Sequence, residues 1–297
     1  MSFSHSPRLT GLVQALSAYL IWIVFPLYFA LLHAVSPLEI VAWRMLCTLP
    51  FCLIMVAVLR QGKDLREVLS SPRLIGALVV SGLLIGANWT AYVIAVMHGH
   101  VLAASLGYYI NPLLNIFTGA LFLRERLSRL QWLAVALAAI GVGMLALDAL
   151  PTLWISMTIA LAFSGYALTR KLAPVSALPG LTVETMVLQI PALGLLGWQA
   201  ASPAGISMGA SASLSLLLAG SGVLTGIPLI LFAAAARRLN FSLLGFIQFL
   251  TPTGLFLISL LVFHEPFKPV QIICFVFIWT AIALFCWDLL SRRTPAA

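Results

Sequence analysis

Charge is scarce in this sequence. Only 8% of its 297 residues are Asp, Glu, Lys or Arg, and the acidic residues number 8. A soluble domain carries about 25% charged residues, so a water-facing surface of ordinary extent cannot be built from this chain. Cysteine and histidine are also few, at 4 and 5. Cys47, Cys52, Cys274 and Cys286 fall inside apolar runs with no CxxC, and they read as small buried hydrophobes rather than a disulfide or metal set. His98 and His100 stand two residues apart without carboxylate companions and read as interfacial histidines. Neither a metal nor another cofactor is expected. The net charge of +8 comes with no basic stripe carrying interleaved aromatics, which argues against nucleic acid as a partner. No nucleophile–base pair falls on adjacent faces, which argues against an intramembrane enzyme. Gly205-Ile-Ser-Met-Gly209 fits G-x-S-x-G but lacks the strand–turn–helix setting of a hydrolase elbow.

What the chain has in abundance is apolar residues, 62% of the total. A spanning helix needs about 20 of them in succession. Such runs predict ten spans, at 9–32, 38–59, 73–97, 101–123, 128–147, 151–170, 180–200, 213–236, 240–263 and 268–290. The first is longer than the apolar core of a secretory signal and is kept as a span. Lipid is therefore the solvent for most of the surface. With the N-terminus inside, fourteen of the 16 Lys and Arg residues fall at cytoplasmic ends. Lys268 falls outside, and Arg44 lies within a span. The positive-inside bias thus predicts both termini in the cytoplasm.

The second half echoes the first at a spacing of 140 residues. Ser81-Gly-Leu-Leu-Ile-Gly86 returns as Ser221-Gly-Val-Leu-Thr-Gly226, Asn111-Pro112 as Thr251-Pro252, Glu125 as Glu265, and Gln131 as Gln271. At 141, Trp22 faces Phe163 and Pro50 faces Pro191. Each copy holds five spans, an odd number, so the second enters the membrane upside down. The expected fold is an all-α integral membrane protein of ten transmembrane helices in two inverted five-helix repeats, residues 1–148 and 149–297. That plan characterises secondary transporters, with sites near the midplane.

Polar groups inside a bilayer are costly and mark partners or cavities. Arg44 lies roughly 8 Å inside the outer edge, at about 1.5 Å per residue, and its repeat-mate Glu184 lies near the inner edge. They suit opposite gates or vestibules, or else snorkel to the nearest interface. Asn88, Trp89 and Tyr92 lie on span three. Tyr108, Asn111 and Asn115 share one face of span four. Thr225 lies on span eight, and Gln248 and Thr251 on span nine. Trp22, Tyr28 and Tyr166 add aromatic surface. Together these predict a mostly neutral, hydrogen-bonding pocket with aromatic walls; interhelical polar glue is the competing reading. Gly82/Gly86 and Gly222/Gly226 are expected to let helices touch. Pro112, Pro228 and Pro252 are expected to weaken their helices in mid-span. Glu125 and Glu265 suit the dipole of a helix N-terminus.

Several segments carry a family resemblance: Trp22-x3-Pro26, Glu39-x4-Arg44, Asn88-Trp89, Ser105-Leu-Gly-Tyr-Tyr-Ile-Asn-Pro112, Tyr166-x3-Arg170-Lys171, Gly180-Leu-Thr-x-Glu184, Thr225-Gly-Ile-Pro228 and Leu244-Gly-Phe-Ile-Gln-Phe-Leu-Thr-Pro252. Over nearly its whole length the chain resembles the drug/metabolite transporter superfamily, EamA-like, and within it the RarD subgroup. Ile23 departs from the glycine that often follows the tryptophan. The resemblance implies ten helices in inverted repeats, with spans one, three, four, six, eight and nine around a central cavity. It also implies a secondary transporter that moves a small organic solute, such as an amino acid, metabolite or drug, across a bacterial inner membrane, with export the expected direction. Attraction of a cation or proton coupling at Glu184, and a monomer or homodimer in membrane lipid, complete the expectation. An uncoupled facilitator or channel and a non-transporting sensor or scaffold are the alternatives.

Overall fold

The computed structural model describes residues 7–291 apart from 148, 204, 263 and 265–268. Glu265 and Lys268, and the final basic residues Arg292 and Arg293, lie outside the described residues. Among the described residues, ten helical segments are long and apolar enough to cross a membrane, and there is no strand. They are α1 (Pro7–Ala30), α2 (Pro37–Val58), α4 (Pro72–Met97), α5 (Val101–Leu121), α6 (Arg129–Leu147), α7 (Leu153–Leu172), α8 (Ala177–Ala200), α9 (Ala212–Arg238), the pair α10 (Phe241–Gln248) and α11 (Leu250–Leu261), and α12 (Pro269–Ser291). A short helix, α3 (Gly62–Leu69), joins α2 to α4, and a 3-10 turn, Leu150–Thr152, leads into α7. Large apolar side chains remain exposed, Ile190 and Leu216 among them, as lipid contact requires. Cys286 is exposed as well. It is not a core residue, because its face of α12 is uncovered among the described residues.

The boundaries follow local chemistry. Proline opens α2 and α4, where its missing N–H costs nothing. Ser128 and Gln131 bond reciprocally at the start of α6, at 3.0 Å each way, in a capping box. Pro252 explains the break in span nine. It cannot donate to the carbonyl four residues back and its ring crowds that position, and the helix interrupts at Phe249. Pro112 and Pro228 sit inside α5 and α9, which continue through them.

The chain forms two compact units. The first comprises α1–α4, the end of α7 from Gly165, α8 and α9; the second comprises α5, α6, the start of α7 up to Ser164, and α10–α12. Each unit thus draws helices from both halves of the sequence. Within the first unit, α2 and α8 run antiparallel: Glu39 reaches Ser207 beyond the end of α8, while the Gln189 amide donates to the Met45 carbonyl at 3.1 Å. Within the second, α5 and α10 are antiparallel: Gly119 meets Ser242, and Asn111 meets Gln248. These are the repeat-mates, spans two with seven and four with nine, oriented as inverted copies must be. The backbone carries the repeat too. Arg124 and His264, 140 residues apart, both take left-handed φ angles, of 54° and 53°, which few non-glycine residues adopt.

The two GxxxG pairs make close helix contacts. A Cβ on Gly82 would stand 3.1 Å from the Glu184 carbonyl oxygen, and one on Gly86 2.6 Å from the Leu188 side chain. Gly222 lies against the Cys47 backbone and Gly226 against the Phe51 ring. Small residues allow α4 to approach α8, and α9 to approach α2.

Candidate functional site

The expected site residues divide between the two units. Trp22, Arg44, Asn88, Trp89, Tyr92, Tyr166, Glu184 and Thr225 belong to the first; Tyr108, Asn111, Asn115, Gln248 and Thr251 belong to the second.

In the first unit, Arg44 projects from the eighth residue of α2 into an aromatic cage. Its guanidinium carbon lies 4.8 Å from the centre of the Trp89 ring, 5.2 Å from Phe29 and 5.6 Å from Phe25. All three are within the range of cation–π attraction, which strengthens away from water. The Arg44 Nε donates to Thr225 Oγ1 at 3.0 Å, so α9 fixes the planar head. Tyr92 lies within electrostatic reach of it. Arg44 is held in the span rather than drawn out to the interface. It is half-buried and therefore remains approachable. Phe25 and Phe29 were not singled out from the sequence; the signal was their one-turn spacing on α1.

A second aromatic group stands on the same unit. Trp22 meets Tyr19 and Phe232, each at 5.6 Å between ring centres. Tyr166 stacks on Phe232 at 6.1 Å and 19°. Tyr28 donates to the Leu217 carbonyl at 2.5 Å and ties α1 to α9. Asn88 is buried on α4.

Glu184 has a partner that the sequence did not assign to it. Arg170 and Lys171 read as one cytoplasmic pair, but α7 carries both, and Arg170 is fully buried. Arg170 Nε stands 3.6 Å from Glu184 Oε1, with both side chains 0% exposed. Ser81 donates to the same carboxylate oxygen at 2.5 Å, and Arg170 Nη2 donates to the Ala177 carbonyl at 3.0 Å. Gly180 makes room for the pair, since any side chain there would overlap the guanidinium. Glu184 therefore does not snorkel. Its Oε2 and Arg170 Nη1 are buried with no hydrogen-bond partner among the described residues. Lys171 goes elsewhere, donating to the Ala236 and Leu239 carbonyls at 3.1 and 2.7 Å and so capping the end of α9.

In the second unit, three amides form a closed set. Asn115 Nδ2 donates to Asn111 Oδ1 at 3.1 Å and to Gln248 Oε1 at 2.6 Å, and Gln248 Nε2 donates to Asn111 Oδ1 at 3.0 Å. Asn111 Nδ2 also donates to the Ala160 carbonyl at 3.3 Å. The set joins α5, α7 and α10, which is interhelical polar glue. Two buried acceptors, Asn115 Oδ1 and Thr251 Oγ1, have no partner among the described residues. Tyr108 is half-buried on α5.

Three carboxylate or serine roles differ from expectation or sharpen it. Glu125 does meet a helix N-terminus, but that of α10 rather than of the next helix. Its oxygens accept from Phe241 N at 2.6 Å, Ser242 N at 2.8 Å and Ser242 Oγ at 2.7 Å. Glu39, buried near the start of α2, accepts from Ser207 N at 2.7 Å, Ser207 Oγ at 2.8 Å and Trp43 Nε1 at 3.1 Å. Ser207 of the G-x-S-x-G run thus fastens a loop, and Gly205 and Gly209 supply the positive φ angles, 64° and 95°, that the loop needs.

Comparison with known proteins agrees with this arrangement of apolar spans and sparse buried polar groups. Residues 9–147 match the EamA-like transporter family. An uncharacterized transporter of Pseudomonas aeruginosa is 44% identical over 96% of each chain. Protein RarD of Escherichia coli is 40% identical, over 96% of this chain and 97% of its own. A protein of Pseudomonas aeruginosa named chloramphenicol-sensitive protein RarD is 29% identical over 94% of each. A crystal structure of a protein 21% identical in sequence superposes with a TM-score of 0.72, over 96% of this chain and all of its own, and shares the fold. Ten apolar spans, antiparallel repeat-mates and full-length similarity to RarD proteins together show that this chain is a multi-pass membrane protein belonging to the EamA-like transporter family, in its RarD branch.

Proposed function

We propose that the chain is a secondary carrier of a bacterial inner membrane that exports a small organic solute bearing an anionic group, by alternating access. The observation that carries this reading is Arg44: a half-buried cation on α2, held by Thr225 and three aromatic faces. A guanidinium presents five donors in a fork that matches a carboxylate, and the surrounding rings suit an apolar or aromatic remainder. An amino acid or a related carboxylate fits both. The antiparallel repeat-mates support alternating access, because inverted copies of one unit give two states of similar energy. The same reading treats 1–148 and 149–297 as the duplicated halves and puts both termini in the cytoplasm.

Trp22, Asn88, Trp89, Tyr92, Tyr166 and Thr225 contribute contacts from the first unit. The second unit carries polar groups of its own beyond the bonded amides: Tyr108, and Asn115 Oδ1 and Thr251 Oγ1, which have no hydrogen-bond partner among the described residues. Glu184 is the carboxylate through which a proton would couple, since its Oε2 keeps an unused acceptor. The chain acts as a carrier, not an enzyme, and as a monomer or homodimer in lipid.

The test is a thermal-shift screen of the purified protein against several hundred metabolites. A binder raises apparent stability by mass action. Carboxylate-bearing hits that vanish in Arg44→Gln and persist in Glu125→Gln are expected. Hits confined to cations or neutral sugars, or hits indifferent to Arg44→Gln, would refute the assignment.

A further inference from the structure

A cavity of about 490 Å³ opens in the first unit at the end where α1 and α8 begin and α2 and α9 finish. This is the end that the charge bias assigns to the cytoplasm. The solute-binding residues proposed above are not among its walls. Part of the lining is polar and basic: Arg237 and Arg238 from the last turn of α9, Gln14 from α1, Gln61 after α2 and Ser176 before α8. The rest is apolar and includes Met55 of α2, Leu59 just after that helix and Ile230 of α9. Leu59 is largely exposed.

The arginines keep donors to spare. Arg238 Nη1 donates to Gln14 Oε1 at 2.8 Å and Arg237 Nη1 to the Val175 carbonyl at 2.6 Å, leaving most of the five donors on each guanidinium. They are not needed to cap α9, because Lys171 already takes its terminal carbonyls. Ser176 makes no side-chain capping bond to α8, so the first-turn N–H groups of that 24-residue helix add positive potential at the rim. Gln61 Oε1 is buried with no hydrogen-bond partner among the described residues. It asks for a donor from whatever fills the space, because an unmet buried acceptor is costly.

We infer that this cavity is a binding site for an anionic glycerophospholipid of the inner leaflet. The headgroup phosphate lies between Arg237 and Arg238, a headgroup hydroxyl donates to Gln61, and the glycerol and first acyl carbons lie along Met55, Leu59 and Ile230. Basic recesses between helices at the cytoplasmic face are where such headgroups bind. A free phosphate would satisfy the arginines alone; the apolar part of the lining favours the lipid.

The test uses the full chain purified in detergent. Its melting temperature is followed with mixed micelles of dioleoyl-phosphatidylglycerol, with dioleoyl-phosphatidylcholine, and with inorganic phosphate. Native mass spectrometry counts retained lipids. The phosphatidylglycerol micelles are expected to raise the melting temperature by several degrees and leave one lipid bound; the other two probes give no shift. Arg237→Gln/Arg238→Gln should lose the shift. Because Arg237 also holds the Val175 carbonyl, Ile230→Trp serves as a second variant: it keeps both arginines, fills the cavity and should lose the bound lipid. An equal shift from inorganic phosphate overturns the lipid assignment. So does an equal shift from phosphatidylcholine, or lipid retention unchanged in Ile230→Trp. None of these readouts involves a transported solute, so the result stands apart from the carrier reading.

Discussion

Replacing Arg170 with methionine should destabilise the protein far more than replacing Arg170 and Glu184 together. Both side chains are 0% exposed and 3.6 Å apart. With the guanidinium gone, the carboxylate keeps only the Ser81 hydroxyl as a donor among the described residues. Leaving one charge of a buried pair alone costs about 3–5 kcal/mol. At about 2–4 °C per kcal/mol for a large domain, this lowers the melting temperature by roughly 6–20 °C. Arg170→Met/Glu184→Leu removes both charges and retains much of the volume. What remains is the orphaned Ser81 hydroxyl and the Ala177 carbonyl that loses Arg170 Nη2, at about 1 kcal/mol each. The double variant should therefore melt within about 8 °C of the parent. Melting curves of the parent, both single variants and the double variant in one detergent close the cycle. If the double variant falls as far as Arg170→Met, or Arg170→Met melts like the parent, the pair is not the mutually dependent buried unit described above.

Three further outcomes are expected. Gly222→Ala should lower the melting temperature by the equivalent of about 1–3 kcal/mol, because its Cβ would overlap the Cys47 backbone, whereas Gly76→Ala meets nothing within 4 Å and should cost nothing. Glu125→Ala should remove about 1–2 kcal/mol of capping and speed amide exchange at Phe241 and Ser242, read by hydrogen–deuterium exchange mass spectrometry; Glu125→Gln should fall between. Glu39→Ala should free the Ser207 loop, making the segment between α8 and α9 faster to cleave under limited proteolysis than in the parent.

Much of the fold was legible because lipid imposes a simple rule. Every predicted span edge falls within three residues of a helix end, since the apolar run and the helix must both match the bilayer. The inverted orientation followed from an odd number of spans per copy. Side-chain partners were harder. Arg170 sits two residues before the end of α7, where a cation ordinarily reaches the interface. Its burial depends on Gly180 of α8, whose missing side chain gives no signal without the neighbouring helix. An in-span carboxylate at Glu184 was the clue that a cation had to be near. Asn111, Asn115 and Gln248 were found by depth and polarity, but only packing shows that they mainly satisfy each other. Glu39 was given no partner from the sequence, because two of its three donors, the Ser207 N–H and hydroxyl, lie more than 160 residues away. Glu125 was placed at a helix start correctly, but sequence proximity pointed to the wrong helix.

Counterflow in proteoliposomes tests the carrier reading most directly. Vesicles containing the protein are loaded with an excess of an unlabelled carboxylate hit from the thermal-shift screen, then diluted into the same compound labelled at trace concentration. A carrier that exchanges solute through two alternating states accumulates label transiently above its equilibrium level, and Arg44→Gln should abolish the overshoot. Label that only rises smoothly to equilibrium, or an overshoot that Arg44→Gln leaves intact, would contradict the account.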